Sequence, residues 1–288
     1  MSARGSSLFS RPKGSVSLMV ARASHGAQAE WEKFAAALAA APASAIVGGQ
    51  DATAGQYPAV AQINFGKGFL CTGKLISPDT VLTAGHCGSL TGAAVASPAA
   101  WPAPLIDVRI GNLQYGTGGE VVAVAKAIVE LDYLLTDGYD ITLLKLSRNA
   151  TKAPVKVSGS GETALWSPGT LETIAGWGAT EEGGSSPDVL QHAQVPIVDH
   201  ATCNDAYDGG IDEDTMLCAG YAQGGIDTCQ GDSGGPLFGH TSGGVLRVVG
   251  TTSFGTGCAR PGIPGVYGRV GDTLLREWIR SQDADGVA

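Results

Sequence analysis

Gly231-Asp232-Ser233-Gly234-Gly235-Pro236, GDSGGP, gathers three glycines and a proline around one serine. Alone it reads as a tight turn. Its first five residues also fit G-x-S-x-G, the strand-to-helix elbow that presents a nucleophilic serine in an α/β fold, where a catalytic acid and then a histidine follow the serine. Here only His240 follows, seven residues on, and no acid lies between. That order fails, and no β-α-β alternation supports such a fold. The remaining partners lie upstream: His86 in TAGHC (83–87) and Asp140 in YDITLLKL (139–146). The order is then histidine, aspartate, serine: a base, an acid that can orient it, and a hydroxyl.

Composition is consistent with a β protein. The 288 residues include 43 glycines, roughly twice the average share. Many short elements joined by turns are expected, and the length suffices for one large domain or two small ones with a sizeable core. The net charge of −9 argues against a nucleic-acid surface, and no apolar run reaches the ~20 residues of a membrane-spanning helix. The six cysteines, Cys71, Cys87, Cys203, Cys218, Cys229 and Cys258, contain no CxxC pair, which weighs against a zinc site. An even number suits a disulfide framework, but six allow 15 connectivities.

AVAQINF (59–65) alternates, with Ala61, Ile63 and Phe65 on one face and Gln62 and Asn64 on the other. VVAVAKAIV (121–129), LRVVGTTSF (246–254) and GVYGRV (265–270) are further short strands. Many short strands with glycine-rich turns predict a sandwich or barrel. One helix closes the chain, with Asp272 as its cap and Leu274, Leu275, Trp278 and Ile279 on one face. GATEEGGSSPD (178–188) reads as a loop.

Residues 1–45 differ from the rest. They carry Arg4, Arg11, Lys13, Arg22 and Lys33, a short apolar run, and an A-x-A end at Ala43-Ser44-Ala45. This is secretory-signal grammar, so a signal or propeptide is expected there. Glu30 and Glu32 stand just before the apolar run, and a start at Met19 would give a more ordinary length. The alternative is a small amphipathic helix of the folded protein.

From Ile46 to about Gln282 the chain resembles the trypsin-like serine proteases of the chymotrypsin superfamily, most of all the compact secreted trypsins of fungi and bacteria. The motifs are IVGG, TAGHC, DITLLKL, AGWG, MLCAGY, DTCQGDSGGP, SFGTGC and PGVYGRV, together and in order. The resemblance implies an all-β fold of two six-stranded antiparallel β-barrels with a C-terminal α-helix. It implies a first barrel over 46–155 and a second, with the helix, over 156–288, forming one peptidase domain (46–282). It also implies a secreted monomeric endopeptidase acting through an acyl-enzyme without a cofactor. His86 would take the Ser233 proton and return it to the leaving amine. Asp140 would hold the histidine tautomer. The N–H groups of Gly231 and Ser233 would form the oxyanion hole, worth roughly 3 kcal/mol per donor.

The resemblance extends to specificity. Asp227 would pair with a P1 Arg or Lys, Gly255 and Gly265 would leave room for it, and Ser253-Phe254-Gly255 would bind the substrate as a strand. Protein protease inhibitors are the other expected partners. The implied disulfides are Cys71–Cys87, Cys203–Cys218 and Cys229–Cys258. Cutting before Ile46 would free an ammonium to pair with Asp232. The family's usual cut follows Arg or Lys, whereas Ala45 precedes here, so export and activation are expected to be one event. Gly85, Thr142 and Phe254 depart from the usual Ala, Ala and Trp, and 89–105 reads as a longer surface loop. Glu120 is the only acid between 111 and 125, so no calcium loop and no required metal are expected. Asn149-Ala150-Thr151 is a glycosylation acceptor pattern. The competing reading is a catalytically inactive, protease-like binding module.

Overall fold

A computed structural model describes residues 46–65, 69–89, 106–134, 136–271 and 274–288. The expectations for residues 1–45, for the loop beyond Ser89 and for the Asp272 cap lie outside these residues. The strands in chain order are β1 (Gln50–Asp51), β2 (Val60–Phe65), β3 (Phe69–Ser77), β4 (Thr80–Thr83), β5 (Ile106–Ile110), β6 (Glu120–Val129) and β7 (Thr142–Leu146), then β8 (Leu171–Gly176), β9 (Gln191–Val198), β10 (Met216–Ala219), β11 (Pro236–His240), β12 (Leu246–Phe254) and β13 (Gly265–Arg269). Three helices are described: α1 (Gly85–Ser89), α2 (His200–Ala206) and α3 (Leu274–Gln282).

Strands β2-β3-β4-β7-β6-β5 form a closed antiparallel barrel, sealed where β5 pairs with β2. Ala61 and Ile63 face its interior with Leu75, Val81, Val108 and Leu144. Their alternation with Gln62 follows from the two-residue period of a strand. Gln62 is buried too. Its Oε1 accepts from Asn112 Nδ2 (3.3 Å) and Gly116 N (3.0 Å), and its Nε2 donates to Asn64 Oδ1 (3.3 Å). These bonds offset the cost of removing an amide from water.

The second barrel runs β9-β10-β13-β12-β11-β8 and closes where β8 pairs with β9. β1 adds to β9, with Gln50 opposite His192. Ile174, Val195, Leu217, Leu237, Val249 and Tyr267 fill this barrel, and Ile46 joins them. The fold is thus two six-stranded barrels, with β1 as an extra strand on the second.

A further cluster joins the barrels: Ile76, Leu82 and Leu143 from the first meet Trp177, Phe238 and Val248 from the second, with Leu275 and Ile279 of α3. Truncating either of these helix residues to Ala would cost about 2–5 kcal/mol. Leu274, expected on the same face, is 57% exposed, so the buried stripe starts one residue later. Disulfides join Cys71 on β3 to Cys87 on α1, Cys203 on α2 to Cys218 on β10, and Cys229 to Cys258.

Candidate active site

His86 is the second residue of α1, and its neighbour Cys87 is tied to β3. Asp140 follows the 3-10 turn Asp137–Tyr139 and precedes β7. The two side chains meet. His86 Nδ1 lies 2.9 Å from Asp140 Oδ2, and the His86 backbone N–H donates to Oδ1 at 2.7 Å. An ionised carboxylate only accepts hydrogen bonds, so the Nδ1 of the neutral ring carries the proton and Nε2 is the acceptor nitrogen. Asp140 is nearly excluded from solvent and has a third donor, Ser253 Oγ, on Oδ2.

That contact depends on an irregularity in β12. Thr252 pairs with Tyr267 and Phe254 with Val266, so Ser253 is the extra residue of a β-bulge. A bulge re-aims a side chain. The family resemblance implied a place for Ser253 on a substrate-binding strand, and nothing in the local sequence signals that it supports Asp140.

Gly85 also finds its reason in packing. A Cβ there would lie 3.0 Å from both Tyr133 Cγ and Asp140 Oδ1. The missing methyl lets the Tyr133 ring approach the histidine helix.

Ser233 lies in the turn entering β11. Its carbonyl accepts from Thr72 N of β3 at 2.9 Å, and Cys87 Sγ is 3.7 Å from the same oxygen. The serine backbone therefore rests beside the disulfide that anchors α1. Gly234 has φ +76°, and a Cβ there would lie 2.0 Å from Thr83 Oγ1, so only glycine fits. In this turn the amides of Asp232, Gly234 and Gly235 donate to backbone carbonyls. Those of Gly231 and Ser233 have no hydrogen-bond acceptor among the described residues.

A pocket of about 180 Å³ is bordered by Ser233, Asp227, Ser253, Phe254, Gly255 and Gly265. Asp227 accepts from Thr228 N (2.8 Å) and Ala259 N (2.9 Å). Burial nevertheless pushes its carboxyl up to about 6, and the hydrogen bonds only partly oppose this. A Cβ on Gly265 would lie 2.7 Å from Asp227 Oδ1. At Gly255 the nearest atom would be 3.4 Å away, so packing does not demand glycine and its effect is on pocket space. Phe254 meets Tyr207 edge-on at 5.8 Å. A second space of about 440 Å³ adjoins this pocket, shares Ser253 and Phe254 with it, and is bordered by His86, Asp140, Tyr133 and Asp137.

Behind the turn, Asp232 is fully buried. It accepts from Gly178 N (2.8 Å) and Cys229 N (2.9 Å). Burial pushes its carboxyl up to about 7 despite these bonds. Ile46 is also fully buried, with φ +59°, and the Val47 carbonyl accepts from Asp227 N at 3.2 Å. The start of the described chain therefore packs beside the loop that carries Asp227.

Cys71, His86 and Cys87 cluster within 4.8 Å, but the sulfurs are joined in a disulfide and offer no thiolate to a metal. Glu120 is engaged by Arg148, Thr151 N and Thr151 Oγ1. Among the described residues, no helix is long and apolar enough to cross a membrane.

Comparison with known proteins agrees with this architecture. The Trypsin family model matches residues 46–279. A trypsin of Saccharopolyspora erythraea is 39% identical over 237 residues, covering 81% of this chain and 97% of the relative. Trypsin-1 of Astacus astacus is 40% identical over 253 residues, covering 82% and 99%. Trypsin 5G1 of Aedes aegypti is 38% identical over 243 residues, covering 82% and 84%. With two closed barrels and these matches, the chain belongs to the trypsin family and is a serine endopeptidase.

Proposed function

We propose that this endopeptidase is secreted, that it cleaves after Arg or Lys, and that His86, Asp140 and Ser233 carry out the reaction. The observation that carries the reading is the Asp227 carboxylate in the pocket that Ser233 borders. A buried acid whose donors among the described residues are all neutral favours a ligand that brings a cation. An apolar P1 side chain would leave the charge unpaired, at a cost of several kcal/mol.

In the proposed reaction Ser233 Oγ attacks the carbonyl carbon while its proton passes to His86 Nε2. The carbonyl oxygen becomes an oxyanion held by the amides of Gly231 and Ser233. Collapse breaks the C–N bond, and the leaving amine takes the proton from His86. Water then attacks the acyl-enzyme by the same route and restores Ser233. Asp140 keeps the imidazole oriented, and Ser253 supports Asp140.

Cleavage before Ile46 creates the ammonium that pairs with Asp232. The buried Ile46 and the buried Asp232 carboxyl, which has only neutral donors among the described residues, support this reading. The peptidase unit then spans 46–282, with barrels over 46–155 and 156–288. Export is supported by the A-x-A end at Ala45 and by three disulfides, which persist in oxidising compartments.

The test uses the chain starting at Ile46 and peptide substrates with Arg, Lys, Phe or Ala at P1. Arg and Lys should dominate kcat/KM; a preference for Phe or Ala refutes the specificity. Ser233→Ala should lower kcat by about 10⁵-fold or more; unchanged turnover refutes the mechanism.

A further inference from the structure

β3 bears a lysine in a position where lysines are rarely found. Lys74 is fully buried. Its Nζ donates to the Gly234 carbonyl (3.1 Å), the Gly235 carbonyl (3.4 Å) and Thr251 Oγ1 (2.6 Å). An ammonium has three donors, and here there are three acceptors. Burial holds the group well below the usual lysine range, and the charge of Asp140 opposes that shift.

The acceptors belong to the other barrel. Gly234 and Gly235 are the two residues after Ser233, and Thr251 lies on β12. The same strand, β3, supplies Thr72 N to the Ser233 carbonyl and, through Cys71, holds the helix that carries His86. One strand thus touches the backbone on both sides of the cleft. Without Nζ, three buried acceptors lose a donor, and a glycine-rich turn can shift in response.

We infer that Lys74 is a positioning residue, whose ammonium pins the Ser233 turn of the second barrel in register with His86 of the first. The inference rests on Ser233 being the nucleophile. It concerns alignment for reaction, not the P1 pocket.

The experiment compares Lys74→Met, Lys74→Gln and Thr251→Val with wild type in the chain starting at Ile46. Active sites are counted with a covalent serine-directed label. Two quantities are then read: kcat and KM on an Arg amide substrate, and the inhibition constant of benzamidine, an aryl amidine that probes the Asp227 pocket. Lys74→Met should lower kcat per labelled site by about 10²-fold, the scale of a misplacement near 1 Å. KM and the amidine constant should stay within about twofold, the pattern of a loss confined to the transition state. Lys74→Gln, which keeps a donor, should recover part of the loss. Thr251→Val should lower kcat less, and its effect should not add to that of Lys74→Met.

Full kcat per labelled site in Lys74→Met overturns the inference. A parallel weakening of amidine binding also overturns it, because that is general collapse of the loop. Where Lys74→Met does not fold, full kcat per labelled site in Thr251→Val overturns it equally. A wild-type protein that takes no label at Ser233 instead removes the nucleophile reading on which the inference stands.

Discussion

Asp140 in the first barrel and Asp227 and Asp232 in the second are all nearly excluded from solvent, yet their surroundings differ in kind. Asp140 has a titratable partner in contact, the His86 ring, and a hydroxyl donor in Ser253. Among the described residues Asp227 and Asp232 have only neutral donors, and burial pushes them up to about 6 and about 7. Desolvation without a counter-charge raises a carboxyl pKa. The first-barrel half of the cleft is therefore electrostatically complete in this chain, whereas the second-barrel half still favours incoming cations. On the proposed reading these are the Ile46 ammonium for Asp232 and the P1 side chain for Asp227. Activation and substrate choice then use one physical device, a buried acid awaiting its partner.

Among changes to these three acids and their donors, the largest effect should come from removing that device at the pocket. Asp227→Asn should lower kcat/KM on Arg substrates by about 10²–10⁴-fold, matching the cost of about 3–5 kcal/mol for a buried charge left without its partner. An unchanged Arg preference would break the comparison. The same acid sets a pH dependence. Below about 6 the empty pocket holds a protonated Asp227, and a cationic ligand must displace that proton. Benzamidine binding should weaken up to about tenfold per pH unit as pH falls below that value, and Asp227→Asn should abolish the slope.

On the complete side of the cleft the expected loss is smaller. Ser253→Ala removes one donor from a charged acceptor, a change of about 1.5–3 kcal/mol. It should lower kcat by about 10–100-fold, with the amidine constant little changed. A loss of amidine binding alone would reassign Ser253 to the substrate strand.

Much of this architecture is legible in local sequence, because strands declare themselves through alternation and glycine-bounded length. LRVVGTTSF coincides with β12, and GVYGRV lies one residue from the end of β13. The meeting of His86 and Asp140 is legible through motif order. What is not legible depends on distant partners. The Ser253 bulge exists only relative to the pairing of β12 with β13. Gly85 reads only as a departure from the usual Ala until the Tyr133 ring, from a distant turn, is found 3.0 Å from where its Cβ would lie. Lys74 sits in CTGKLIS, where alternation cannot tell a solvent-facing lysine from one that reaches across to a second barrel. Leu274 follows the helical period, yet the helix begins beyond the edge of the core there.

The smallest effect lies away from the cleft. Glu172 on β8 is also buried, its Oε1 has no hydrogen-bond partner among the described residues, and burial pushes it up to about 8. Unlike Asp227 and Asp232, it lies outside the site built above. Between its ordinary value and about 8 the folded chain keeps a proton that the unfolded chain has released, so stability falls as pH rises through that window. Glu172→Gln should remove the dependence. Its advantage in Tm over wild type should grow from pH 5 to pH 8 and then level off. An offset independent of pH would show that Glu172 is held neutral for some other reason.

The most direct test concerns the cation that completes the second-barrel half. Two chains are compared, one beginning at Ile46 and one beginning at Ala45, by their rate of labelling at Ser233 with a covalent serine-directed inhibitor. Rapid labelling is expected of the first and labelling slower by orders of magnitude of the second, because one extra residue removes the ammonium from reach of Asp232. Equal rates in the two folded chains would contradict that pairing.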